Sequence, residues 1–165
     1  MPQPVSDATV GARAARRASL DAIFQPRSVA VIGATNREGS VGRATLSNLI
    51  DSPFRGKLYP VNPRVPEILG RRTYSRIGEI PEPVDLAVIV TPAATVPGVV
   101  GECIAAGVGG SVVISAGFRE HGAEGKALEQ DISNQLRRDR LRLIGPNCLG
   151  VMNPTIGLNA TFAQT

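Results

Sequence analysis

Tryptophan is absent from the 165 residues, aromatic residues make up only 4% of them, and histidine occurs once. So few aromatic side chains argue against a stacking platform for single-stranded nucleic acid. The two cysteines, Cys103 and Cys148, lack CxxC spacing and His121 is the only histidine, which argues against a zinc site or a disulfide framework. No apolar run reaches the ~18 residues of a membrane helix. We therefore expect a reducing, cytoplasmic setting and no membrane partner.

The net charge of +4 is concentrated at the start of the chain. Within residues 1–27, four arginines and two aspartates supply half of it, and the remainder is nearly balanced. We interpret this basic character as a solvated tail on an ordinary surface, with no nucleic acid as partner. Residues 1–19 are small, polar and arginine-containing, and are predicted to form a disordered leader; a transit peptide is the alternative.

Short apolar runs alternate with helical patterns along the rest of the chain. The predicted strands are 28–32, 57–61, 85–90, 111–115 and 141–144, and the predicted helices are 40–51, 93–106 and 122–140. Continuous apolar strands alternating with helices are typical of a parallel sheet covered on both faces. The fold class is therefore α/β, a doubly wound Rossmann-like sheet. It is predicted to occupy residues 20–152, with 153–165 as an exit segment towards a missing second domain.

The loop after the first predicted strand is rich in glycine. Gly33, Gly39 and Gly42 have the spacing G-x5-G-x2-G, followed by a helix with Ser40 as the expected N-cap. Glycines before a helix N-terminus suit a phosphate, because backbone N–H groups can approach it closely. The spacing is neither the dinucleotide G-x-G-x-x-G nor a Walker A loop, so a simple turn that packs the helix on the sheet remains an alternative.

The residues after the second predicted strand help to distinguish between the nucleotides that could bind. NAD-binding folds carry an acidic residue there to hold the ribose hydroxyls, whereas this chain has Asn62, Pro63 and Arg64. An arginine suits a ribose that bears a phosphate, through charge-assisted hydrogen bonds. NADP and coenzyme A (CoA) both fit this description, and a solvated surface charge is the alternative interpretation of Arg64.

Six segments, in this order, resemble one known family. They are SVAVIGAT at 28–35, GSVG at 39–42, YPVNP at 59–63, DLAVIVTPA at 85–93, SAGFRE at 115–120 and IGPNCLG at 144–150. The set resembles the N-terminal CoA-binding domain of the NDP-forming acyl-CoA synthetases, over roughly residues 20–165. That family includes ADP-forming acetate–CoA ligase, succinyl-CoA ligase α subunits, and lysine acetyltransferases with an appended synthetase-like region.

The resemblance implies that CoA or acyl-CoA binds across the carboxyl edge of the sheet. It implies a phosphate loop, an adenosine segment, a loop along the pantetheine arm and a loop near the thiol end. The residues that match are, in that order, Gly33, Thr35, Ser40, Val41 and Gly42; Asn62, Pro63 and Arg64; Thr91, Pro92 and Ala93; and Asn147 and Cys148. The family often has Ser at the position of Thr35 and Lys at that of Arg64; arginine keeps the charge but changes its geometry.

The family's chemistry runs through a phosphohistidine in a later domain and a separate ATP-grasp module. His121 does not match the phosphohistidine motif, and Cys148 has no second histidine to activate it. The resemblance thus implies CoA binding without catalysis, as one domain of an ADP-forming acid–CoA ligase whose other domains or ATP-grasp subunit are its partners. The alternatives are an acyl-CoA-sensing module, alone or linked to an acetyltransferase, and a fragment of an NADP-dependent oxidoreductase.

Overall fold

A computed structural model describes residues 20–163, so the predicted leader lies outside the described residues. Residues 20–24 are helical. The helices that follow are α1 (Val41–Asp51), α2 (Val96–Ala105) and α3 (Gly122–Leu136). The strands are β1 (Ser28–Ile32), β2 (Lys57–Val61), β3 (Glu67–Ile68), β4 (Arg71–Arg72), β5 (Leu86–Ile89), β6 (Gly110–Val113), β7 (Arg142–Ile144), β8 (Gly150–Asn153) and β9 (Leu158–Thr161).

Five of these strands form one parallel sheet in the order β2-β1-β5-β6-β7. This is the strand order of a doubly wound α/β fold, so the predicted fold class is confirmed. Pro60 lies inside β2, opposite Val31, one residue before the predicted position at the strand end. A proline is tolerated there because β2 is the edge strand of the sheet.

The core consists of two apolar clusters, one on each face of the sheet. In β1, Ala30 and Ile32 belong to the cluster beneath α2 and α3, whereas Val29 and Val31 belong to the cluster beneath α1. Neighbouring residues of a strand point to opposite faces, so a strand covered on both sides must be apolar throughout. The unbroken runs in β1 and β5 follow from this burial, and every residue of both strands is buried.

Two predicted helices have different ends from those expected. The helix predicted for 93–106 begins with a turn of 3-10 helix at Ala93–Thr95 before α2. The helix predicted for 122–140 ends at Leu136, because the four residues that follow are charged and offer no apolar side chain to bury. The carboxylate of Asp139 instead accepts a hydrogen bond from Leu141 N at 2.9 Å, which turns the chain into β7.

A β-hairpin formed by β8 and β9 packs onto α1, and sequence patterns did not reveal it. Val151, Leu158 and Ala160 are buried in the cluster beneath α1. The side-chain amide of Asn48 in α1 donates to the carbonyl oxygens of Thr161 and Ala163, at 2.8 and 2.9 Å. The domain boundary predicted at residue 152 therefore falls inside β8, and the segment predicted to leave the domain packs against it through residue 163.

Candidate functional site

A cavity of about 650 Å³ opens where the chain crosses from one side of β1 to the other. From β1 the chain moves outward to β2 and then returns to pair β5 on the opposite side of β1. In doubly wound sheets, ligands bind in the crevice outside the carboxyl ends of the strands at such a switch point. The cavity brings together nine of the sequence-predicted residues: Gly33, Thr35, Ser40, Val41, Gly42, Thr91, Pro92, Asn147 and Cys148.

The glycine-rich loop and the start of α1 form one wall of this cavity. Gly33 has a φ of +96°, a conformation that favours glycine. The hydroxyl of Ser40 accepts from Arg43 N at 3.3 Å and donates to the carbonyl oxygen of Arg37 at 2.6 Å, which fixes the first turn of α1. The N–H groups of Val41 and Gly42 have no partner within the helix, so the wall presents donors and a partial positive charge to an anion.

A second wall of the cavity is formed by Thr91, Ser115, Asn147 and Cys148. The hydroxyl of Ser115 donates to the carbonyl oxygen of Thr91 at 2.6 Å, and Asn147 N donates to the carbonyl oxygen of Ser115 at 3.0 Å. The hydroxyl oxygen of Thr91 is buried and makes no hydrogen bond to protein. This wall is held together by hydrogen bonds, and the Thr91 hydroxyl is the polar group in it that has no protein partner.

The Cys148 thiol is half-buried and donates to the carbonyl oxygen of Val113 at 3.3 Å. Burial raises its pKa above the ordinary thiol value. A thiol with a raised pKa is a poor nucleophile, because the thiolate is the reactive form. Cys148 therefore fits a lining role in the cavity better than a catalytic one.

Asn62, Pro63 and Arg64 line a second cavity of about 390 Å³ at the carboxyl end of β2, together with Arg72 and other residues. The amide of Asn62 donates to the carbonyl oxygen of Ala34 at 2.9 Å, and its oxygen accepts from Arg64 N at 2.8 Å. Asn62 thus joins the end of β2 to the glycine-rich loop, so its side chain has a structural task. The predicted adenosine segment lies beside the main cavity rather than in it.

Ala93 lines neither of these two cavities. It packs against the cluster beneath α2 and α3. Its methyl group would lie 3.1 Å from a β-carbon added to Gly117, so it fills the space between two loops.

Several residues that line the main cavity were missed by sequence reasoning: Arg37, Val90, Ile114, Ser115, Ala116, Leu149 and Phe162. Arg37 lies within the glycine-rich loop, and its positive charge beside a phosphate-loop pattern was a usable signal. Phe162 follows the unforeseen hairpin, and no local pattern connects it with residues more than a hundred positions earlier.

The one histidine of the sequence lines neither of these two cavities. His121 is exposed, at the end of a 3-10 turn (Arg119–His121). Within residues 20–163, no group of three or more His, Cys, Asp or Glu side chains could hold a metal ion. Over the same residues, no helix is both long and apolar enough to cross a membrane.

A switch-point cavity with a glycine-lined loop and an open helix N-terminus defines a nucleotide-binding domain of the doubly wound class. A family model described as a CoA binding domain matches residues 27–154, and the chain belongs to that family. The resemblance seen in the sequence is thus confirmed, and CoA is the ligand that the family supports.

The ligases that this chain matches are much longer proteins. The ADP-forming acetate–CoA ligase I of Archaeoglobus fulgidus is 48% identical over 145 residues, which are 88% of this chain and 21% of that protein. The ADP-forming acetate–CoA ligase I subunit α of Pyrococcus furiosus is 47% identical over 89% of this chain and 33% of its own length. The chain thus corresponds to one domain of ADP-forming acyl-CoA ligases and spans a third or less of these relatives.

A solved structure shares the fold in detail. The acetyl-coenzyme A synthetase 1 of Ca. Korarchaeum cryptofilum, solved with phosphate and ADP, superposes with a TM-score of 0.83 at 37% identity. The match covers 88% of this chain and 31% of that protein. The Rossmann-like CoA-binding architecture is therefore shared at the level of the whole domain.

Proposed function

We propose that this chain is the CoA-binding domain of a larger ADP-forming acid–CoA ligase, and that alone it binds CoA or acyl-CoA without catalysing a reaction. The observation that carries the proposal is the cavity at the switch point, where nine residues predicted from sequence line one space. The lengths of the relatives support it, because the chain covers only 21% and 33% of two of the ligases that it matches.

The proposed binding mode runs along the carboxyl edge of the sheet. The pyrophosphate accepts hydrogen bonds from the N–H groups at the start of α1, beside Gly33 and Gly42. The pantetheine arm follows Thr91 and Pro92, and its thiol ends near Asn147 and Cys148. The adenosine and its 3′-phosphate reach the cavity that contains Arg64. Support comes from the position of these residues, which follow the carboxyl ends of β1, β2, β5 and β7. The Asn62 side chain, which donates to Ala34 O at 2.9 Å, connects the end of β2 with the glycine-rich loop.

Acyl-CoA formation from an acid requires a nucleoside triphosphate and an activated acyl intermediate. The proposed CoA-binding residues account for neither the binding of ATP nor the activation of the acid. We propose that the remaining ligase domains, or an ATP-grasp subunit, supply these steps in the cytoplasm. The naming of one relative as a subunit α supports a partner of this kind. Incubation of the chain alone with ATP, acetate and CoA should produce no acetyl-CoA and no phosphate on His121. Phosphate on His121 would contradict this assignment.

Calorimetric titration tests the ligand directly. We expect CoA and acetyl-CoA to bind more tightly than NADP, because the loop spacing G-x5-G-x2-G is not the dinucleotide spacing G-x-G-x-x-G. We expect NADP to bind more tightly than NAD, because the phosphorylated ribose of NADP offers a charge to Arg64. Tighter binding of NADP than of CoA would favour the oxidoreductase alternative and overturn the proposal.

A further inference from the structure

The second cavity has a basic lining. It is lined by Asn62, Pro63, Arg64, Val65, Pro66, Arg72, Thr73 and Ser75, among which two are arginines and none is acidic. Glu67 lies opposite Arg72 in the β3–β4 hairpin. Even so, neither Arg64 nor Arg72 is among the ion pairs formed within residues 20–163. Two arginines therefore line this cavity without an ion-pair partner among the described residues. The nearby Glu79 carboxylate accepts a hydrogen bond from Ser75 N at 3.2 Å.

Arg72 is held in place by an aromatic ring. Its guanidinium carbon lies 5.4 Å from the ring centroid of Tyr74, a cation–π distance. The backbone of Tyr74 is fixed to the edge of the sheet, because its N–H donates to Pro60 O at 3.1 Å and its carbonyl oxygen accepts from Asn62 N at 2.9 Å. A guanidinium set on a fixed ring loses less side-chain entropy when it binds an anion.

The hairpin that carries Arg72 is also connected to the glycine-rich loop. The amide of Asn36 donates to Glu67 O at 3.0 Å, and its oxygen accepts from Leu69 N at 3.0 Å. The guanidinium of Arg43 in α1 donates to the carbonyl oxygen of Asn36 at 2.7 Å. The second cavity thus keeps a fixed position relative to the start of α1, where the pyrophosphate is proposed to bind.

From this arrangement we propose that Arg72, together with Arg64, binds a phosphate monoester, and that this group is the 3′-phosphate of CoA. The proposal rests on the function proposed above and adds Arg72 as a specificity-determining residue. A phosphate monoester carries a charge of about −1.5 to −2 near neutral pH. Two planar guanidinium groups match that charge and can each donate two hydrogen bonds. A ligand that lacks the separate phosphate leaves both arginines without a partner.

The test compares Arg72→Ala with Arg71→Ala in calorimetric titrations of CoA and 3′-dephospho-CoA. Arg71 is the adjacent exposed arginine of the same strand and does not line the cavity, so it controls for the loss of one positive charge. We expect Arg72→Ala to weaken CoA binding roughly fivefold and dephospho-CoA binding less than about twofold. Arg64→Ala should behave like Arg72→Ala, and Arg71→Ala should change neither affinity by more than about twofold.

Three outcomes would overturn the proposal. Equal loss of CoA and dephospho-CoA in Arg72→Ala would show that Arg72 does not contact the 3′-phosphate. Equal effects of Arg71→Ala and Arg72→Ala would show a general effect of charge. Displacement of CoA by low millimolar inorganic phosphate would assign the cavity to free phosphate. Failure of the unmodified chain to bind either CoA or dephospho-CoA would instead refute the proposed function, and this inference with it.

A second variant guards against a folding defect. Arg72→Lys keeps the charge and the exposed side chain but loses the two-pronged guanidinium, so it should retain the melting temperature and lose CoA affinity partially. If Arg72→Lys binds CoA as tightly as the unmodified chain, the paired hydrogen bonds are not used and the proposed geometry is wrong.

Discussion

Gly42, in the first turn of α1, lies directly against the carbonyl oxygen of Gly33 at the end of β1. A β-carbon on Gly42 would overlap that oxygen and would also approach the backbone carbon of Gly33, at 3.3 Å. The start of α1 can therefore pack on the end of β1 only because residue 42 has no side chain. This close approach also aims the free N–H groups of the helix at the cavity.

Gly42→Val should reduce both stability and CoA affinity. The branched side chain must push α1 away from β1, and such overpacking costs about 1–3 kcal/mol of the free energy of unfolding. Because the helix moves, its N–H groups no longer meet the pyrophosphate. Urea unfolding and calorimetric titration with CoA measure the two effects on the same preparation.

Gly98→Ala is the matched control for this variant. Gly98 lies in the helix α2, and a β-carbon added there meets nothing within 4 Å. The substitution should leave CoA affinity unchanged and raise stability by up to ~1 kcal/mol, because alanine favours the helix. Normal affinity and an unchanged melting temperature in Gly42→Val would mean that the loop is an ordinary turn.

Gly125→Ala should lower stability while leaving CoA affinity unchanged. Alanine is generally favoured over glycine in a helix interior by ~1 kcal/mol. In the structure Gly125 is buried, and an added β-carbon would overlap the backbone of Phe118. We expect a loss of about 1–3 kcal/mol in urea unfolding. A melting temperature at or above that of the unmodified chain would show that the Phe118 loop shifts freely.

The contrast between Gly42 and Gly125 shows what the sequence could predict. The buried strands followed from runs such as Leu86–Ile89, because burial on both faces leaves a local signature. Ser40 likewise marked the start of α1. Neither the Phe118 contact nor the β8–β9 hairpin leaves a local mark. A close backbone approach depends on a distant loop, and the hairpin owes its stability to packing against α1.

The grouping of the candidate site residues could be predicted only in part. Residues in the loops after β1 and β5 come together because the carboxyl ends of adjacent parallel strands share one edge of the sheet. The separate position of Arg64 depends on the β3–β4 hairpin, whose two-residue strands are too short to show a periodic pattern. Arg72 was therefore out of reach of sequence reasoning, because nothing local connects it with Arg64.

Glu120→Gln should lower the stability of the fold at neutral pH, and this difference in stability should shrink as the pH falls. The Glu120 carboxylate accepts from Gly117 N at 2.7 Å, and this backbone hydrogen bond lowers its pKa below the ordinary carboxyl value. A lowered pKa in the folded state stabilises the fold at pH values above the ordinary carboxyl pKa. That contribution is lost as the pH falls through the lowered pKa. Melting temperatures of both proteins across the acidic range measure the difference.

Glu124→Gln is the control for that series, since it removes an exposed carboxylate from the first turn of α3. The gap in melting temperature between the unmodified chain and Glu120→Gln should narrow as the pH falls. A gap that stays constant with pH would show that the carboxylate charge is not what stabilises the turn after Ala116.

CoA should protect Cys148, and only Cys148, from alkylation. Cys148 lines the main cavity and is half-buried, whereas Cys103 is fully buried and burial raises its pKa to about 12. The raised pKa of Cys148 makes its reaction slow at neutral pH, so iodoacetamide should be used above about pH 8.5, where more thiolate forms. Mass spectrometry of the peptides then gives separate rates for the two cysteines.

With saturating CoA the alkylation rate at Cys148 should fall at least about tenfold, because a tightly bound site is then almost fully occupied. Cys103 should stay unmodified with and without CoA, and it becomes reactive only after unfolding in urea. An unchanged rate at Cys148 under saturating CoA would show that the ligand does not extend to the loop at Asn147 and Cys148, and the thiol end would have to lie elsewhere along the sheet edge.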